Sequence, residues 1–389
     1  MAFSISMLRA LVVLPGAAVE GALMVALPWM VTRAAQGTPW LGIASAGIVG
    51  AGLLGTLLAP FLERRLGNRL MTVATGFACG AALVVAGWSW IMDEMLLAYA
   101  MALVSIVADA TCDVGFTARL PVLARLARQR LERLSAGNWL WSIGGAALGS
   151  VFAGWALDAQ QRVLLVTVLC AATLLVAVAL ALLLPRQAQY VRTEPPMRAL
   201  WSAQFWSPSA VRIALVLAAL VFFAGPLDNL LMPLHLTTHG QPAEVYGHVI
   251  ASAGLGIAVG LSLLQSDRIT RHRRVAVVAG LLGLAVQLTT LMLLPPQWLL
   301  LVGTFVGAVL FAPLLPMLEA TMLSVARPTQ RTLMLAALSA LAALADISGT
   351  ISLGAVAAHE GSTGALAVCI SVAVVAVVAA AVAAVRSKG

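Results

Sequence analysis

The chain has 389 residues, of which 61% are hydrophobic and only 10% charged, with a mean hydropathy of +1.00. A soluble domain of that composition would have too little polar surface to face water, so the chain reads as a membrane protein. The formal net charge of +8 would suit a nucleic-acid binder, but the positions of the basic residues give it another meaning.

Apolar runs long enough to cross a hydrocarbon core of about 30 Å lie at 8–31, 40–62, 70–91, 95–117, 136–157, 162–184, 210–234, 244–265, 275–295, 297–323, 332–356 and 363–385. Backbone groups in lipid must be satisfied internally, so these runs are expected to be helices, giving an all-α protein of twelve spans. The first run is long and lacks a strongly basic leader, so no cleavable signal is expected. Cys79, Cys112, Cys170 and Cys369 all fall inside apolar runs without metal-type spacing, which indicates packing rather than a disulfide framework or a zinc site. Of the 23 basic residues, all but Arg33 and Arg162 fall in alternate loops or at the termini. That side is therefore cytoplasmic, with both termini inside, and no nucleic-acid partner is implied.

The turn at 55–69 joins the second and third spans through an expected loop of about six residues. A near copy at 260–274 lies on it with a shift of about 204 residues, pairing Glu63 with Asp267, Arg64 with Arg268 and Gly76 with Gly280. Pro28 and Pro233 pair at a shift of 205. The chain is thus read as a tandem duplication. It has an N-terminal six-helix half at 1–185, a cytoplasmic linker at 186–208 and a C-terminal half at 209–389. Within the linker Met197, Leu200, Trp201 and Phe205 fall at helical spacing, as in a short helix lying on the inner surface.

Two six-helix repeats, inside termini, a central linker and a basic turn after the second and eighth spans resemble the major facilitator superfamily. The turn is similar to the family's loop pattern through Gly55, Glu63-Arg64, Gly67 and Arg69, with one extra residue before Gly67. In another register Arg64-Arg65 take the acid–Arg positions and the acid is lost. Gly145-Ala-Ala-Leu-Gly149-Ser150 is similar to a stretch of the family associated with antiporters, with Ala146 in place of Pro and Ser150 in place of the last Gly. The segment 120–158 resembles the bacterial multidrug and siderophore exporter branch. The resemblance implies that the first, fourth, seventh and tenth helices line a central cavity. It also suggests a cytoplasmic gate formed by Glu63, Arg64 and Arg69 with Asp267 and Arg268. The other reading of that basic cluster is topogenic only.

Acids within the spans carry the chemistry. Glu20, Asp109, Asp113, Asp228, Glu319 and Asp346 lie in apolar runs, and no Lys or Arg lies well inside any span. Each would cost roughly 2.5–3.5 kcal/mol if it faced lipid. Together that is about 15–20 kcal/mol, at or above a typical folding free energy of about 5–15 kcal/mol. They must face water, pair with polar groups or carry protons. All four helices that the resemblance places at the cavity carry an acid. Glu20, Asp109, Asp113, Asp228 and Glu319 are therefore the expected proton-coupling and substrate-binding residues. For Asp113 an ion pair near Arg119 is an equal alternative. For Asp346, with Ser348 and Thr350 nearby, a packing hydrogen bond is an equal alternative. Helical spacing also puts Asp228, Met232 and His235 on one face of the seventh helix.

The reading is a proton-coupled exporter of small amphipathic or cationic organic compounds. It would work as a monomer in the bilayer of the bacterial inner membrane, with small molecules and protons as its partners and no cofactor. The alternative within transport is divalent metal efflux through Asp228 and His235 with Glu20. The alternative of another class is a non-transporting scaffold or sensor. No nucleophile–base spacing, phosphate loop or HExxH points to an enzyme.

Overall fold

The computed structural model describes residues 5–35, 40–120, 123, 131–184, 208–263, 273–314, 317 and 331–386. These residues are nearly all helical. Helix α1 (Leu14–Ala35) follows without a break from a π segment at Arg9–Val13. Then come α2 (Trp40–Leu66), α3 (Asn68–Ile91), α4 (Met95–Thr117), α5 (Leu131–Asp158) and α6 (Arg162–Leu183). Helix α7 runs in three pieces: Pro208–Pro226, a π segment at Leu227–Leu231, and Met232–Thr238. Helices α8 (Ala243–Leu263), α9 (Arg273–Leu293) and α10 (Gln297–Phe311) come next. Arg331–Arg386 is broken at Gly361 (φ 76°) into α11 and α12.

Among the described residues nine helical stretches are long and apolar enough to cross a membrane, one of them the double-length stretch containing Gly361. With two shorter apolar helices, this is consistent with the twelve spans expected. The turn between α2 and α3 is shorter than expected. Gly67 alone separates the helices, and its φ of 76° lets the chain reverse in one residue while its N–H bonds the Glu63 carbonyl at 2.8 Å.

The chain packs as two compact units. One comprises Met1–Met30, Gly47–Val191 and Pro242–Ala251; the other comprises Val31–Ala46, Arg192–Gln241 and Ser252–Gly389. In the first unit, α1 lies on α5 with no side chain between the backbones. A Cβ on Gly145 would collide with the Leu14 carbonyl, one on Gly149 with the Ala18 carbonyl, and one on Gly21 with the Ala146 carbonyl. Ser150 closes the seam, its Oγ lying 3.0 Å from the Gly21 carbonyl and 2.8 Å from the Ala146 carbonyl. The antiporter-like stretch of α5 is thus a bearing surface for α1.

Gly55 and Gly260, paired in the sequence comparison, both sit at close helix contacts. Gly55 on α2 abuts the Val107 carbonyl and Ala110 of α4, and Gly260 on α8 abuts the Val309 carbonyl of α10 and Ala312 just beyond it. The second copy of the basic turn, with Asp267 and Arg268, lies outside the described residues.

A valine at position 149 should force α1 and α5 apart and lower stability by about 1–3 kcal/mol. Gly144, where a Cβ meets nothing within 4 Å, should accept valine with little change. Thermal unfolding of purified Gly149→Val and Gly144→Val measures the contrast. Equal melting temperatures would show that the seam tolerates a side chain.

Candidate functional site

With one side of α1 pressed on α5, Glu20 is left exposed on the remaining surface of the helix. Asp109 and Asp113, one turn apart on α4, are exposed as well. Glu20, Asp109 and Asp113 stand close enough for their charges to act on one another. Much of the surroundings of each is protein. Among the described residues, no basic group is one of those acting on them. Met24, one turn beyond Glu20, is 49% exposed and sets an apolar surface beside the acids.

A second acidic group forms in the other unit. Asp228 sits in the π segment of α7, and the charge of Asp346 on α11 acts on it. The Asp346 carboxyl lies against Gly225, where a Cβ would collide with it, and accepts a hydrogen bond from Thr350 Oγ1 at 3.2 Å. Asp346 therefore has both the packing hydrogen bond and an acidic neighbour. Phe222 and Phe223 meet edge to face, 4.9 Å apart, just before this break. Glu319 lies outside the described residues.

The π segment overturns one expectation. An extra residue in the turn rotates the helix beyond it by about 100°. Asp228 is exposed, whereas Met232 and His235 are only 2% and 1% exposed, so the three do not share a face. His235 instead faces Ser362, with Nδ1 3.0 Å from its Oγ, and its ring lies 4.3 Å from that of His239. Among the described residues, no three His, Cys, Asp or Glu side chains come together as a metal site.

The basic turn separates into distinct jobs. Arg69 reaches the last turn of α6, its Nε donating to the Leu184 carbonyl at 3.1 Å and its Nη2 to the Ala181 carbonyl at 2.7 Å. Those carbonyls lack helical donors, and a cation there also opposes the helix dipole. Asn68 Nδ2 donates to the Gly115 carbonyl at 3.1 Å, and Arg119 Nε donates to Asn68 Oδ1. Burial, and then the nearby Arg69, press the Arg119 guanidinium below its ordinary pKa, while Glu63 acts the other way. Arg64 is exposed. Arg9, at the start of the π segment before α1, donates through Nε to Asn138 Oδ1 on α5 at 2.9 Å. The capping role of Arg69 and the Arg9–Asn138 bond both join residues more than 100 positions apart, and no local pattern announces them.

Replacing Arg69 with alanine should lower stability by about 1–2 kcal/mol, because α6 loses two charge-assisted bonds. Arg64→Ala should stay within about 0.5 kcal/mol of wild type. Thermal melts of the purified variants test this. Equal melting temperatures would leave the α6 contact without energetic weight.

No protein-family model matches the chain. A curated relative, the multidrug efflux pump Tap of Mycobacterium tuberculosis, is 25% identical over 325 residues, which is 78% of this chain and 75% of that protein. Among solved structures, the nucleoside transporter NupG matches with a TM-score of 0.71 at 12% identity, over 97% of this chain and 98% of that one. A D-xylose-proton symporter matches with a TM-score of 0.69 at 13% identity, covering 97% of both chains. The chain is a multi-pass membrane protein with the major facilitator fold, and the proteins it resembles are transporters rather than enzymes.

Proposed function

We propose that the chain is a secondary active transporter that exports small amphipathic organic cations in exchange for protons, by alternating access. The observation that carries this reading is the gathering of Glu20, Asp109 and Asp113 without a basic partner acting on them among the described residues. Crowded carboxylates repel one another, and either a proton or an organic cation relieves the repulsion. The two then compete for one site, which is the exchange an antiporter needs. Exposed Met24 beside Glu20, and the Phe222–Phe223 pair just before Asp228, give each acidic group an apolar neighbour, which suits a cation with a hydrophobic body. The similarity to a protein named as a multidrug efflux pump supports the outward direction.

In this reading the six-helix halves 1–185 and 209–389 are the moving bodies, joined by the linker 186–208, and a single chain suffices. The basic loops put both termini and the linker in the cytoplasm of a bacterium, with the protein in its inner membrane. Arg64, with Glu63 beside it, and Arg268, with Asp267 beside it, take equivalent places in the duplication and are proposed to hold the cytoplasmic side through charge. Arg69 contributes by fixing α6.

Everted vesicles loaded with the protein should accumulate tetraphenylphosphonium when a pH gradient is imposed. Glu20→Gln, which mimics the protonated acid, should reduce that response at least tenfold while expression is retained. Asp228→Asn and Asp346→Asn should reduce it by similar amounts to each other, because the two share one site. An undiminished response in Glu20→Gln would remove that residue from coupling. In intact cells an impermeant thiol reagent should label Gly361→Cys and spare Arg64→Cys, and the reverse pattern would invert the topology.

A further inference from the structure

Helix α1 contains Pro28, which has no N–H to give. The carbonyl it leaves without a helical donor is that of Met24, four residues earlier. The Tyr246 hydroxyl, from the start of α8, donates to the Met24 carbonyl at 3.1 Å. Its ring stacks on Trp29 with centroids 5.9 Å apart and planes 19° from parallel, and the residue is fully buried. The next residue, Gly247, abuts the Ser150 carbonyl and lies 3.1 Å from Gly154 Cα by the Cβ it would carry. The start of α8 is therefore held against α1 and α5 within one packing unit.

We infer that Tyr246 is a positioning residue, a latch whose phenol fills the hydrogen bond that Pro28 vacates and so sets the α1 segment carrying Glu20 and Met24. The duplication supplies an internal comparison. Pro233 corresponds to Pro28, yet there α7 opens into the π segment Leu227–Leu231 just before the proline. Gly42 stands where Tyr246 stands in the other copy, at the shift of 204, and has no hydroxyl to offer. Of the two copies, α1 is the one whose proline is repaired by a tyrosine from a distant helix. One neutral hydrogen bond is weak enough to make and break in each cycle. On the transport reading above, on which this step rests, releasing it lets α8 leave α1 and frees the surroundings of Glu20.

Hydrogen exchange on the purified full-length protein tests the latch without measuring transport, so a failure of the transport reading leaves the result intact. Tyr246→Phe, which removes only the hydroxyl, should speed exchange of the backbone amides at 243–251 about tenfold. Amides of α3 and α6 should be unchanged. In a Pro28→Ala background, where residue 28 again has an N–H for Met24, the same substitution should change exchange less than twofold. Equal acceleration in both backgrounds, none in either, or acceleration spread into α3 and α6 would each overturn the inference.

Discussion

A carboxylate has no tolerable place in hydrocarbon, and the arrangement of this protein follows from that constraint. Glu20, Asp109, Asp113, Asp228 and Asp346 sit on helices that lipid would otherwise surround. Each must be turned towards water or a polar neighbour by the packing of its helix. For Glu20 this is done by backbone contact. Gly145 and Gly149 of α5 receive α1 so closely that no side chain fits between them, and the remaining surface of α1 carries the acid. The orientation of the acid depends on these glycines.

Among the described residues, acids gather within each unit. Glu20, Asp109 and Asp113 gather in one unit, on regular helix faces, and Asp228 meets Asp346 in the other, at a break in α7. A π segment widens a turn and re-aims what it carries, and such segments are rare and concentrated at functional positions. Here it exposes Asp228 and turns His235 inward to Ser362. Helix α1 instead keeps Pro28, with the Tyr246 hydroxyl on the Met24 carbonyl, while α7 opens into a turn that carries an acid.

Much of this is legible in the sequence, because hydropathy, basic loops and buried acids act through strong and local physics. Span positions and most of the acids need only residue type and spacing. What escapes depends on geometry that spacing does not encode. Gly67 compresses an expected six-residue loop into one residue because it adopts a positive φ. The π segment breaks the helical period on which the shared face of Asp228 and His235 rests. The acceptors of Arg69, carbonyls at the end of α6, lie more than 100 positions away and no spacing points to them. Spacing leaves Asp346 evenly between packing and chemistry, and only the fold brings Asp228 beside it. The bond from Tyr246 to Met24 could have been sought, since any proline inside a helix leaves a carbonyl in want of a donor.

The central claim is that a proton and an organic cation compete for the Glu20, Asp109 and Asp113 group. Calorimetry of tetraphenylphosphonium binding to the purified protein, in two buffers of different ionisation enthalpy, measures the protons released on binding. The account predicts net proton release in the wild type and a clear loss of it in the Glu20→Gln, Asp109→Asn double variant. Binding with no proton release, or with release that the double variant leaves unchanged, would contradict it.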